Sequence, residues 1–216
     1  MKDSSEMIQQ VKEIVFPVNY HNNPERKPNT TSDSGTLFES REYDLISAAV
    51  LIPLVLRGNV WKLVMTKRSR KLKKHGGQIS FPGGKYDVTD ENLLNTALRE
   101  TREEIGVSLS NIEIFGSLQS HETITGFRIF PFLGIIPPHE NFVKNSDEVD
   151  DIFEVPLNFI LKKKKFSRHY LEIKNTNRKY LAVPYGPYYI WGATARILYN
   201  FSEKFLNKWS SNFESN

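Results

Sequence analysis

Three glutamates inside one short amphipathic segment constrain this chain more than any other feature. Over residues 91–105, Leu93, Leu94, Ala97, Leu98, Thr101 and Ile105 recur at spacings of three, four and seven, which predicts a helix with one core-facing stripe. Thr89 or Asp90 stands ready to cap its start, and Gly106 falls where a left-handed residue closes a helix. On the same wheel Glu100, Glu103 and Glu104 stand at i, i+3 and i+4, so their carboxylates converge beside the core stripe. They also crowd the helix C-terminus, where the macrodipole disfavours negative charge. Each like-charged pair at that spacing costs about a few tenths of a kcal/mol. A solvated face is the bland alternative, because Arg99 can pair with Glu103 and Arg102 can reach an acid. A divalent cation explains the convergence better. Hard oxygens at short range suit Mg²⁺ or Mn²⁺, which keep positions for water and substrate phosphates.

The rest of the chain supplies one body for this helix. Its 216 residues suit one domain with trimmings or two very small ones, a length that can bury a core without staples. The absence of cysteine excludes disulfide frameworks, thiolate metal sites, cysteine nucleophiles and CxxC redox chemistry. A formal charge of +4 leaves nucleic acid, a phosphorylated small molecule or an acidic surface open as partners. Residues 1–43 read as a polar arm, partly helical and loosely packed, and 211–216 as a flexible tail. With no apolar spanning run, secretory signal or acid-free presequence, the expectation is a cytoplasmic protein without membrane attachment.

Between them, residues 44–210 alternate in type. Strands are predicted at 47–56 and 61–66 about an Arg57-Gly58-Asn59 turn, then at 78–81, ending in a Gly83-Gly84 tight turn, and at 112–119 and 127–136. A polar loop runs to about residue 150, followed by a strand at 152–155 and a short helix at 157–161. A hairpin at 168–173 and 179–183 and a final helix at 190–209 complete the pattern. The fold class is α/β, a mixed sheet between helices. Lys162 to Lys165 reads as a solvated turn. Phe130, Phe132, Tyr180 and Tyr185 could stack a base, but strand aromatics more often fill cores, so no nucleobase pocket is assigned.

The glutamate segment resembles a Nudix box. Glu91, Arg99-Glu100, Glu103-Glu104, Gly106 and Val107 match that pattern, with Gly84 one residue early and Thr101 in place of an aliphatic. Residues 65–84, which run Met-Thr-Lys-Arg-Ser-Arg-Lys-Leu-Lys-Lys-His-Gly-Gly-Gln-Ile-Ser-Phe-Pro-Gly-Gly, are similar to the extra motif of coenzyme A diphosphatases. So is Ile190-Trp191-Gly192-Ala193-Thr194-Ala195. The resemblance implies a Nudix α/β/α sandwich that hydrolyses the pyrophosphate of coenzyme A to 3′,5′-ADP and a phosphopantetheine.

It also implies roles. Glu100 and Glu104 would hold Mg²⁺ or Mn²⁺, with Glu103 direct or through water, and the Gly83 carbonyl would add a ligand. Arg99 would orient the glutamates. The general base would be a box glutamate or one from a later loop, for which Glu148 is the candidate and Glu140 a weaker one. Arg68, Arg70, His75 and Gln78 are the expected substrate contacts. A diphosphate with a separate 3′-phosphate needs cations beyond the metal, and arginine binds phosphate bidentately. Another nucleoside diphosphate derivative, such as ADP-ribose, a dinucleotide or a nucleoside triphosphate, is the first alternative. RNA 5′-end hydrolysis or RNA binding ranks below it, since no RNA-binding module is recognisable, and a non-catalytic Nudix domain is disfavoured by the complete glutamate set. The spare N-terminal arm would suit a homodimer.

Overall fold

A computed structural model describes residues 4–22, 31–32, 45–173 and 176–209. Its elements are α1 (Ser4–Lys12), β1 (Thr31–Ser32), β2 (Ile46–Arg57), β3 (Val60–Arg68), β4 (Ile79–Ser80), β5 (Gly83–Lys85), α2 (Leu93–Ile105), β6 (Glu113–Ser117), β7 (His121–Glu122) and β8 (Phe127–Ile136). They continue with β9 (Val149–Pro156), α3 (Leu157–Ile160), β10 (Ser167–Ile173), β11 (Thr176–Tyr185), β12 (Tyr188–Trp191) and α4 (Gly192–Trp209). Among the described residues nine strands form one mixed sheet, and β10, β11 and β12 form a separate antiparallel sheet.

The central strand β2 explains the layering. Its near-continuous apolar run is what a strand buried on both faces requires. Ala49 and Leu51 pack under α2 with Ala97, Phe130 and Phe132. Ile52 and Leu54 point the other way, into a larger cluster with Val11 of α1 and Phe201 and Phe205 of α4. Each fully buried Leu, Ile or Phe contributes roughly 1.5–3 kcal/mol relative to exposure. β2 runs parallel to β8 from Ile46↔Phe127 to Val55↔Ile136 and antiparallel to β3 and β5. Pro53 falls after β5 pairing ends at Val50↔Gly83 and before β3 pairing begins at Leu54↔Leu63, where a missing N–H is least costly.

The α/β class and the mixed sheet between helices are as expected, and four local expectations change. The Gly83-Gly84 turn is instead the start of β5, paired with β2. Ile190 and Trp191 belong to β12 rather than to the final helix, which begins at Gly192 in the left-handed region (φ 65°). The α2 cap is Asn92, whose Oδ1 accepts from the Asn95 backbone N–H at 3.0 Å, and not Thr89 or Asp90. The start of the chain does not pack loosely: Ile8, Val11 and Ile14 are buried, and the Trp61 indole N–H donates to the Ser4 carbonyl at 2.6 Å. The tip of the predicted hairpin at 174–175 and the tail at 211–216 lie outside the described residues. No helix among the described residues is long and apolar enough to cross a membrane.

Candidate active site

Helix α2 lies with its glutamate face over the β3 end and the β5 strand. Glu104 is buried, accepting a 3.4 Å hydrogen bond from the Thr66 hydroxyl and lying 3.7 Å from the Arg68 guanidinium. Burial pushes its carboxyl up to about 8; Arg68 opposes this, and the neighbouring Glu100 and Glu148 carboxylates add to it. Glu100 is also shifted upward, first by burial, with Arg99 pulling the other way. Glu103 points outward, its side chain 42% exposed and paired with Arg99 at 3.2 Å.

Arg99 ties the helix to the preceding loop. It donates to Asp90 Oδ1 and Oδ2 at 2.9 and 3.1 Å, to Glu100 Oε1 at 2.8 Å, and to the Lys85 carbonyl at 3.4 Å. Asp90 accepts in addition from the Thr96 hydroxyl at 2.8 Å and the Asp87 N–H at 3.1 Å. The Arg99 hydrogen bond is the main reason its carboxyl drops to about 2. Asp90 therefore anchors the arginine that holds Glu100 in place.

The two glycines fit this geometry. Gly83, at φ 154°, has the β2 backbone at Ala49 and Val50 where a Cβ would go. At Gly84 a Cβ would occupy the position of the Glu100 carboxylate. Small residues here let the β5 backbone approach the acid cluster. Thr101, which replaces the aliphatic of the box, is buried and donates to the Ala97 carbonyl at 2.6 Å, so its hydroxyl is satisfied inside the helix. Glu91 is exposed and accepts from the Asn95 side chain.

The fourth acid arrives from far along the chain. The loop after β8 crosses the end of α2, with Val143 N–H donating to the Ile105 carbonyl and Asn145 N–H to that of Glu104. These bonds satisfy carbonyls that a helix end leaves free. The Glu148 carbonyl then accepts from Ser69 N–H at 2.8 Å. So pinned, Glu148 offers an oxygen that, with one each from Glu100 and Glu104, lies in a set mutually within 4.8 Å. Such a set of hard oxygens is suited to a divalent ion. Glu140 is elsewhere, accepting from the Asn111 side chain.

A cleft of about 1010 Å³ opens beside these acids, with Gly83, Gly84 and Lys85 in its lining. Of the expected substrate contacts, Arg68, His75 and Gln78 line it, and Arg70 does not; Arg70 is exposed. His75 sits in the left-handed region (φ 58°), its Nδ1 at 3.0 Å from Gln78 Oε1. Phe130 and Phe132 are core residues and Tyr185 packs on Phe159, whereas Tyr180 lines the cleft. Lys163 pairs with Glu203 at 2.7 Å on the surface, in keeping with a solvated turn. Sequence reasoning missed the anchoring role of Asp90, whose polar neighbours suggested only a cap. It also missed Thr66, for which no local signal exists.

A family model described as NUDIX domain matches residues 46–173. The uncharacterized Nudix hydrolase NudL of Citrobacter koseri is 40% identical over 154 residues, covering 70% of this chain and 78% of that protein. Its namesake from Klebsiella pneumoniae strain 342 is 41% identical over the same length and coverage. Among solved structures, a C. elegans Ap4A hydrolase binary complex superposes with a TM-score of 0.50 at 14% identity, over 77% of this chain and 99% of that one, a likeness of fold. With the box helix, its acid cluster and these relatives in agreement, the chain belongs to the Nudix hydrolases, metal-dependent enzymes that cleave pyrophosphate bonds in nucleoside diphosphate derivatives.

Proposed function

We propose that the substrate is coenzyme A or one of its derivatives, cleaved at the diphosphate to 3′,5′-ADP and a 4′-phosphopantetheine. The observation that carries this reading is the course of residues 68–84. The segment that resembles the coenzyme A diphosphatase motif brings Arg68, His75 and Gln78 to the cleft and ends in the Gly83–Gly84 strand beside the acids. Among the described residues nothing accepts from the buried Arg68 Nε, a donor suited to an anionic oxygen.

The residues fit a divalent ion. Glu104 is a buried carboxylate whose cationic neighbour stands at 3.7 Å, and three carboxylate oxygens lie mutually within 4.8 Å. Glu100, Glu104 and Glu148 would hold Mg²⁺ or Mn²⁺, with Glu103 at the edge through water and the Gly83 carbonyl adjoining. Such an ion, when bound, neutralises diphosphate oxygens and makes its water more acidic. Arg99 keeps Glu100 aimed, and Asp90 keeps Arg99 aimed. Glu148 is the one acid of the set contributed by a loop, and its carboxylate oxygen takes the proton of the attacking water. Oxygen from that water bonds to phosphorus as the bridging P–O bond breaks, and the displaced phosphate leaves with the bridging oxygen.

The test is product analysis by chromatography with coenzyme A, dephospho-coenzyme A and ADP-ribose, each with Mg²⁺ or Mn²⁺, with Glu104→Gln as the blank. Metal-dependent 3′,5′-ADP, with dephospho-coenzyme A a poorer substrate, supports the reading. Equal cleavage of all three, or none of coenzyme A, overturns it.

A further inference from the structure

The smaller sheet carries chemistry on a face that the acid cluster does not use. Register places Leu181, Val183 and Ile190 on one side, all buried against α4 and the core. The other side gathers aromatics: His169 pairs with Tyr180, and Trp191 with Ala182 two residues further along β11. Arg178 follows two residues before Tyr180, on the same side by the alternation of a strand, and no carboxylate among the described residues forms an ion pair with it. An outward sheet face ordinarily reads polar; this one is aromatic and cationic, and Tyr180, Trp191 and Arg178 all line the cleft.

The aromatic group is held rigidly. Tyr180 stacks with His169 at 5.4 Å between ring centroids and meets Trp191 edge-on at 5.6 Å and 71°. Tyr189 meets His169 edge-on from the same side, at 6.4 Å between centroids. Trp191 has no other ring partner among the described residues, so at least one face of its indole is uncovered by an aromatic. The Thr194 hydroxyl donates to the Ile79 carbonyl at 3.1 Å, which docks the start of α4 on β4, four residues before Gly83. The indole is thus fastened beside the floor of the same cleft.

We propose that Trp191, buttressed by Tyr180, is the platform on which the nucleobase of the substrate stacks, with Arg178 beside it to meet phosphate on the attached sugar. The proposal rests on the reading of this cleft as a nucleoside diphosphate site and extends it to the base. A flat, π-rich surface with a cation at its margin suits a purine, and stacking on aromatic side chains is how proteins hold unpaired bases. The aliphatic lining, Ile124 and Ile129 among it, suits the flexible remainder of the molecule.

The experiment measures dissociation constants for AMP and for base-free ribose 5-phosphate by titration calorimetry on the full chain. Wild type, Trp191→Leu, Trp191→Phe and a change at another aromatic of the cleft lining, Phe127→Leu, are compared, with melting curves to confirm folding. Wild type should prefer AMP, and Trp191→Leu should weaken AMP binding by roughly 5–100-fold while leaving ribose 5-phosphate unchanged. Trp191→Phe should retain most of the preference. Unchanged AMP binding in Trp191→Leu, or loss of the preference in Phe127→Leu instead, overturns the proposal. Should Trp191→Leu fail to fold, emission of the lone tryptophan in Trp61→Phe/Trp209→Phe decides: quenching by AMP is expected, and unaltered emission overturns it. AMP lacks both the pantetheine arm and the 3′-phosphate, so this result is independent of whether coenzyme A is cleaved.

Discussion

The Arg68 guanidinium of β3 lies 3.7 Å from the buried Glu104 carboxylate of α2. A residue expected to bind substrate therefore touches an acid expected to bind metal, and the two cations would share one neighbourhood. Arg68→Met should raise the affinity for Mn²⁺ a few-fold by removing the competing charge. It should also raise the KM for the diphosphate substrate by about 10-fold, the scale of one lost charge-assisted hydrogen bond. Calorimetry with Mn²⁺ and steady-state kinetics read the two effects separately. A weakened metal affinity would mean that Arg68 positions Glu104 rather than competing for it.

Glu104 makes the metal-free protein pH-sensitive. Its carboxyl is raised to about 8 in the folded state from an ordinary 4.5, so the folded chain holds a proton that the unfolded chain releases. That contribution is complete below pH 4.5 and is lost as pH rises through about 8. In EDTA, the melting temperature of the wild type should fall relative to Glu104→Gln across this window. Added Mn²⁺ should stabilise the wild type more at pH 8.5 than at pH 6, because a ligand must shed its proton to bind. Parallel melting curves for the two proteins would refute the assignment.

Gly84→Ala tests the close approach of β5 to the cluster. The new methyl would take the place of the Glu100 carboxylate, the flexible end of a side chain, so the fold should survive while Glu100 is displaced. Activity should drop at least about 10-fold, in line with the sensitivity of catalysis to small misplacements. A melting temperature near wild type with normal turnover would show that Glu100 has room to spare.

Glu148 and Glu103 should differ although both are glutamates near the helix end. Glu148 lies in the converging set and Glu103 does not. Glu148→Gln should lower kcat by about 10²–10⁴-fold, the range for a positioned base, and Glu103→Gln by less than about 10-fold. Comparable losses in both variants would return Glu103 to the centre of the site.

Much of this was legible in local sequence. A 3.6-residue period places Glu100, Glu103 and Glu104 on neighbouring lines of a helix whatever surrounds it, and the near-continuous apolar run of β2 already reads as a strand. Spacing could not say which glutamate is buried. That depended on β3 lying over Glu104 with Thr66 and Arg68 while Glu103 faced solvent. Nor could it bring Glu148 to Glu104, 44 positions apart, since hydrogen bonds from a returning loop to the end of α2 do so. Trp191 looked like the start of a helix until the pairing of β12 with β11 made it part of a wall. Periodicity is written in each segment by itself, and so the helix, the strands and the candidate acids could be read directly. Burial and convergence are properties of segments packed together, so the desolvation of Glu104 and the aromatic wall of the cleft were decided only by the tertiary structure.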